Sequence, residues 1–326
     1  MSDPLSRRDL LKHATTAAAA LMLPFPLRAA DASDPDHTRL AHWTATLRAD
    51  GLSRPDVPLG RAAVRVGELA AGTPYEPGTL EAYLRAGGSP ATTEPLALSL
   101  TRFDCVTLVE SCLAVARIAG QVADADSTQD AAGGHRAEGA PRARSPRPST
   151  WDRFAREIER MRYRGGVHRG YASRLHYFSE WIRDGAARGL VHDLGAELGG
   201  AEDARPLRFM TEHRTSYPAL RNDEVFREIG AVERQLDGHP RHVVPTKLIP
   251  QVTERIDTGD VLAFATAIPG LDVSHTAFAY RDRAGTLRVL HAPLSGGVVE
   301  ITRATLPEYV AAIRRATGIL VARPLR

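Results

Sequence analysis

The chain has 326 residues, 43% hydrophobic and 25% charged, with a formal net charge of +3. That balance excludes a collagen, a multi-span membrane protein and a chain disordered throughout. Two cysteines in all, Cys105 and Cys112, exclude a disulfide-dense scaffold and a Cys-rich zinc module.

The length suits one large domain or two ordinary ones. Lysine occurs only at Lys12 and Lys247, so the cations are almost all arginine. They are dispersed and interleaved with acids, whereas nucleic-acid binders gather cations on one face or arm. The excess reads as biased residue usage, and no nucleic-acid partner is expected.

Residues 1–30 run from a charged start through an apolar stretch, Ala14 to Leu23, into prolines and small residues. This is the layout of a secretory signal, with an apolar run too short to span a bilayer. Ser6-Arg7-Arg8-Asp9-Leu10-Leu11-Lys12 adds the twin-arginine pattern. An amphipathic helix is the alternative. Export to the periplasm is expected, with cleavage near Ala29 or Ala30. No cysteine there suggests a lipid anchor, and no later run of about 18 apolar residues suggests a membrane span.

From Phe103 to Ile118, apolar residues recur at helical spacing: Cys105, Leu108, Val109, Cys112, Leu113, Ala116. The two cysteines share a face but lie about 10.5 Å apart along the axis. A disulfide needs Cα atoms within about 7 Å, so both thiols stay free. Cys112 reads as a small buried apolar residue. Asp104 is a good N-cap, which puts Cys105 in the first turn. There the free N–H groups and the helix dipole favour an anion, so a lowered thiol pKa is expected, the alternative being a second buried structural cysteine.

Residues 123–150 are rich in Gly, Pro, Ser and charge, without apolar periodicity. They read as a disordered surface insertion. A helix resumes at Trp151. Residues 192–250 read as short helices and loops along one wall of a cleft.

The C-terminal third reads as strands. Ile256 to Asp260 is a turn, and Val261-Leu262-Ala263-Phe264 a short buried strand. His275–Tyr280 and Thr286–His291 are two more, joined by the five residues 281–285. If Tyr280 pairs with Thr286, His275 lies directly opposite His291. Opposed residues have Cβ atoms about 5 Å apart, so one imidazole can orient the other. A one-residue slip would separate them. The parts then match a cysteine-nucleophile site: Cys105 attacks, His275 carries the proton, His291 fixes the tautomer.

These residues carry a resemblance. Phe103-Asp104-Cys105, Thr258-Gly259-Asp260 and the hairpin from Ser274-His275 to Leu290-His291-Ala292 resemble the NlpC/P60 superfamily of papain-like cell-wall hydrolases. One branch is closer: the DUF1460 family of N-acetylmuramoyl-L-alanine amidase-like proteins. That likeness rests on Gly78-Thr79-Leu80-Glu81, on Arg102 through Glu110, and on Arg162-Tyr163-Arg164. It continues through Ser173-Arg174-Leu175-His176-Tyr177, Gly270 through His275, and Gly318 through Pro324.

The resemblance implies a papain-like α+β fold, with a nucleophile helix packed on an antiparallel sheet. With residues 1–30 and 123–150 set aside, the remaining length fits one elaborated catalytic domain over 31–326 better than two, and the insertion 123–150 departs from the family pattern. The resemblance implies amide hydrolysis through a thioester, by Cys105, His275 and His291, without metal or cofactor. The expected partner is a peptidoglycan fragment, and the expected state a monomer. The branch implies cleavage between N-acetylmuramic acid and L-alanine. The wider superfamily more often cuts the γ-D-glutamyl–diamino-acid bond of the stem peptide, or the fold could bind wall fragments without cutting them. Thr79 and Glu81 are candidates for substrate polar groups, or else cap a helix. Arg164 suits a muropeptide carboxylate, or else a surface ion pair. Asp272 and Ser274 flank His275, lining the pocket or shaping the turn. Glu110 reads as structural. A zinc amidase built on the two histidines would leave Cys105 without a role.

Overall fold

The structure is a computed structural model that describes residues 34–90, 94–130, 148–294 and 297–326. The signal-like residues 1–30 lie outside them. Helix α1 (Pro35–Ala49) starts at Asp34, whose carboxylate accepts from the Asp36 N–H, and buries Leu40, Trp43 and Leu47. Helix α2 (Leu59–Leu69) is buried along most of its length.

Helix α3 (Cys105–Asp130) begins where the cap was expected. The Thr107 N–H donates to Asp104 Oδ1 at 2.7 Å, and the Asp104 N–H donates to Thr107 Oγ1 at 2.9 Å. Each side chain satisfies one otherwise unpaired amide at the helix start. Leu108, Val109, Cys112, Leu113 and Ile118 are fully buried. The helix runs on to Asp130, so the first eight positions of the expected insertion are helical. Residues 131–147 lie outside the described residues. Helix α4 (Thr150–Arg162) follows, started by a reciprocal Ser149–Asp152 cap. Helix α5 spans Phe178–Ala187.

Residues 192–250 depart from the expectation of helices and loops alone. They carry most of β1 (Val191–Asp193), then β2 (Ala201–Asp203), helix α6 (Asp223–Leu236) and β3 (Arg241–Pro245). Strands of three residues with mainly exposed side chains show no alternation for a sequence reading to catch. Strands β4 (Val261–Thr266), β5 (Val273–Arg281), β6 (Leu287–His291) and β7 (Glu300–Ile301) follow. Helix α7 (Leu306–Ala312) and β8 (Ala316–Pro324) close the chain.

The eight strands form one sheet in the order β2-β3-β8-β4-β5-β6-β7, with β1 also paired to β8. Every pairing is antiparallel. Residues of helices α1 to α5 share one core with Val261, Ala263 and Ala265. Leu262 and Phe264 point the other way, into a core with Leu306 and Val310 of α7. Central strand β4 is therefore covered on both faces, which is why it reads as an unbroken apolar run.

The Thr258-Gly259-Asp260 turn is set by packing. Gly259 has φ 93°, and a Cβ there would sit 2.1 Å from the Gly60 carbonyl carbon at the start of α2. Gly259→Ala is expected to destabilise the fold by about 3 kcal/mol, combining left-handed strain with overpacking. Urea unfolding measures this, and a loss under 1 kcal/mol would show that the two backbones can separate freely.

Candidate active site

Strand β5 is bent where it delivers its histidine. Phe264 pairs with His275, but the next β4 residue, Ala265, pairs with Val273. Ser274 is the extra residue of a β-bulge, a device that re-aims side chains beside functional sites. Its hydroxyl donates to the Phe264 carbonyl at 3.4 Å.

The β5–β6 register differs from the expected one. Tyr280 pairs with Arg288, not Thr286, and Phe278 pairs with Leu290. Strand β5 continues through Arg281, and the Asp282 carboxylate accepts from the Ala284 and Thr286 N–H groups to tighten the turn. The shift is two residues, so both histidines keep their face. They meet diagonally instead of directly: His275 Nε2 lies 2.8 Å from His291 Nδ1. The rings are 5.1 Å apart and nearly perpendicular.

Two aromatic residues complete the cluster. Phe264 stacks on His275 with centroids 5.8 Å apart. Tyr309, from α7, packs edge-on to His291 and places its hydroxyl 3.1 Å from His291 Nδ1. The sequence reading missed Tyr309. The Thr305–Glu308 cap announces its helix, but nothing local announces that the helix reaches back to β6. On the far side of the ring, His291 Nε2 is buried without a hydrogen bond, 3.7 Å from Glu300 Oε1.

The Cys105 thiol lies next to this cluster. It lies beside the side chain and backbone of Thr276, the residue after His275, and within electrostatic reach of Tyr309. No hydrogen bond joins Cys105 to His275, and catalytic hydrogen bonds of this kind commonly tighten only around the substrate. The expected thiolate is not favoured. Burial pushes the thiol up to about 11, helped by the adjacent Asp104 charge. Desolvation outweighs the helix start. Burial, with His291 alongside, also holds His275 down to about 3, and burial alone brings His291 to about 4. The resting pair is thus a neutral thiol and a neutral imidazole.

The other candidate residues are engaged within the protein. Arg164 makes a bidentate pair with Glu180, at 2.6 and 3.1 Å, and donates to the Ala172 carbonyl. This is the ion pair that was the alternative to a carboxylate receptor. Glu81 accepts from Arg174 and from the Tyr171 hydroxyl, both at 3.0 Å; it stands at the N-cap position of the four-residue helix Ala82–Arg85, but its side chain makes no cap hydrogen bond there. Thr79 opens the short helical turn that carries Glu81. Asp272 accepts from the Ser179 N–H at 2.8 Å and from Val273, tying the start of β5 to the start of α5. Glu110 is 1% exposed and takes a 2.8 Å hydrogen bond from Arg162, as suits a structural role. Among the described residues, no group of three or more His, Cys, Asp or Glu is arranged to hold a metal ion.

An antiparallel sheet wrapped by helices, with two imidazoles on its neighbouring strands β5 and β6 and a thiol at a helix start beside them, belongs to the mixed α/β class. Residues 65–319 match the family described as AmiA-like, N-acetylmuramoyl-L-alanine amidase-like, and the chain belongs to that family. The crystal structure of an N-acetylmuramoyl-L-alanine amidase from Bacteroides uniformis is 27% identical, with a TM-score of 0.67 over 82% of this chain and 99% of that one. A candidate xylanase from Bacteroides fragilis is 31% identical, with a TM-score of 0.62 over 79% of this chain and 99% of its own. A Legionella pneumophila protein of the DUF1460 family, 16% identical, shares the fold with a TM-score of 0.58 over 89% and 94% of the two chains. No protein of curated function matches the chain.

Proposed function

We propose that the protein is a cysteine amidase of the papain-like NlpC/P60 superfamily. It cleaves the N-acetylmuramoyl–L-alanine amide of peptidoglycan fragments, after export to the periplasm by its twin-arginine signal. The observation that carries this reading is the 2.8 Å His275–His291 hydrogen bond, with Cys105 beside Thr276 at a helix start. Glycoside cleavage uses a pair of carboxyl groups, whereas a thiol, two imidazoles and a phenol gather here.

In this mechanism His275 removes the Cys105 proton as the sulfur attacks the amide carbonyl. Free N–H groups at the start of α3 are suited to the developing oxyanion. His275 then returns the proton to the departing L-alanine nitrogen, leaving a thioester on the lactyl carbonyl. Water, deprotonated by His275, attacks that thioester. The muramoyl carboxylate leaves and the thiol is restored.

Digestion of purified anhydromuropeptides with product identification by mass spectrometry tests the bond. A peptide headed by free L-alanine plus an intact sugar is expected. A sugar still carrying L-Ala-γ-D-Glu would overturn the assignment in favour of stem-peptide cleavage.

The titrations set the pH dependence. Activity needs neutral His275, whose folded value is depressed, so kcat/KM falls only as pH drops through about 3 to 4. The thiol loses its proton near 11, so the profile should be flat across the neutral range. An acid limb near the ordinary histidine value of about 6.5 would contradict this.

A further inference from the structure

One nitrogen of His291 faces two partners. His275 Nε2 lies 2.8 Å from His291 Nδ1, and the Tyr309 hydroxyl lies 3.1 Å from the same atom. The other nitrogen, Nε2, is buried with a carboxylate oxygen of Glu300 3.7 Å away. A proton on Nε2 faces that carboxylate favourably, whereas a bare lone pair there would be repelled by it. A neutral imidazole carries one N–H, so a protonated Nε2 leaves Nδ1 as an acceptor. Both neighbours of Nδ1 must then donate. His275 donates through Nε2–H, and the Tyr309 hydroxyl donates alongside. With its proton on Nε2, His275 presents a bare Nδ1, the form a general base requires.

We infer that Tyr309 is a positioning residue for the proton-transfer histidine, holding His291 Nδ1 as an acceptor so that His275 Nδ1 stays unprotonated. The tautomer assignment rests on geometry alone, and its catalytic consequence rests on the amidase reading above. Tyr309 is suited to the task because its ring is fixed on two sides. It packs 5.3 Å from Phe264 and 5.1 Å from His291. Phe264 also stacks on His275, so one aromatic side chain supports both the base and the tyrosine that directs it.

Tyr309→Phe keeps the ring and removes the hydroxyl. The test uses full-length protein with 15N-labelled histidine and reads the ring-nitrogen shifts by NMR. In the unmodified protein His291 should show a protonated Nε2 and a bare Nδ1, and His275 a protonated Nε2. In Tyr309→Phe both histidines should move toward mixed tautomers. On muropeptide, kcat should fall about tenfold, the scale of one lost hydrogen bond, with KM unchanged. A His291 protonated on Nδ1 in the unmodified protein would overturn the inference, as would Tyr309→Phe with unchanged shifts and kcat. The measurement on the unmodified protein decides the tautomer even if the variant fails to fold. The shifts also need no turnover, so a wrong substrate assignment stays distinguishable from a wrong role for Tyr309.

Discussion

Cys105→Ala is expected to abolish amide hydrolysis, with a fall in kcat of about 10⁴-fold or more, while the fold survives. The side chain lost is small, and its helix is held by the Asp104–Thr107 cap and by Leu108, Val109 and Leu113 in the core. Circular dichroism and thermal melts should match the unmodified protein. His275→Ala should cost about as much as Cys105→Ala, because nucleophile and base act as one unit. His291→Ala removes only the orienting partner, and a smaller loss of about 10²-fold is expected. Activity surviving in Cys105→Ala would end the nucleophile assignment and reopen a metal-dependent route.

The largest stability effect is expected at Glu110 and Arg162. Their side chains are 1% and 4% exposed and joined by a 2.8 Å hydrogen bond. Arg162 also donates to the Ala97 carbonyl at 2.6 Å. Burial raises the Glu110 carboxyl, and the nearby Arg162 guanidinium opposes that rise. Arg162→Ala leaves a desolvated acid without its partner, and a loss of 3 to 5 kcal/mol is expected, at about the cost of breaking a buried pair. The double change Glu110→Leu with Arg162→Met should recover much of that loss, since it removes both charges and keeps the volume. Urea unfolding of the three variants measures both effects. A double variant as unstable as Arg162→Ala would show that the lost contact to Ala97, not the stranded charge, dominates.

Buried ion pairs of this kind also link the motifs of the sequence. Glu110 follows Cys105 on α3, and Arg162 opens the Arg-Tyr-Arg motif. Glu81 closes the Gly-Thr-Leu-Glu motif and pairs with Arg174 of the Ser-Arg-Leu-His-Tyr motif, which also lies 3.4 Å from Glu94. Segments far apart in the chain are therefore stitched together by buried charge. Residues that looked like substrate receptors, Arg164 and Glu81, have protein partners for the same chemical reason: guanidinium and carboxylate groups recognise each other as readily as they recognise a ligand.

Much of the site was legible because its signals are local. The apolar period of α3, the Asp104 cap and the short apolar run of β4 all lie within windows of a few residues. The two histidines meet diagonally and not as the directly opposed pair expected, and they still touch because a slip of two residues preserves the face. The turn length itself depended on the Asp282 side chain capturing Ala284 and Thr286, which strand propensity does not encode.

By itself, then, the sequence singled out Cys105, His275 and His291 as candidates and the faces they occupy, because helical and strand periods are properties of neighbouring residues. Only the tertiary structure decided their surroundings. It brought Tyr309 from α7 to His291, engaged Arg164 with Glu180, and folded β1 to β3 into the sheet. It also reversed the expected thiol shift, because the helix start that favours a thiolate is local while the burial that opposes it comes from the whole pocket.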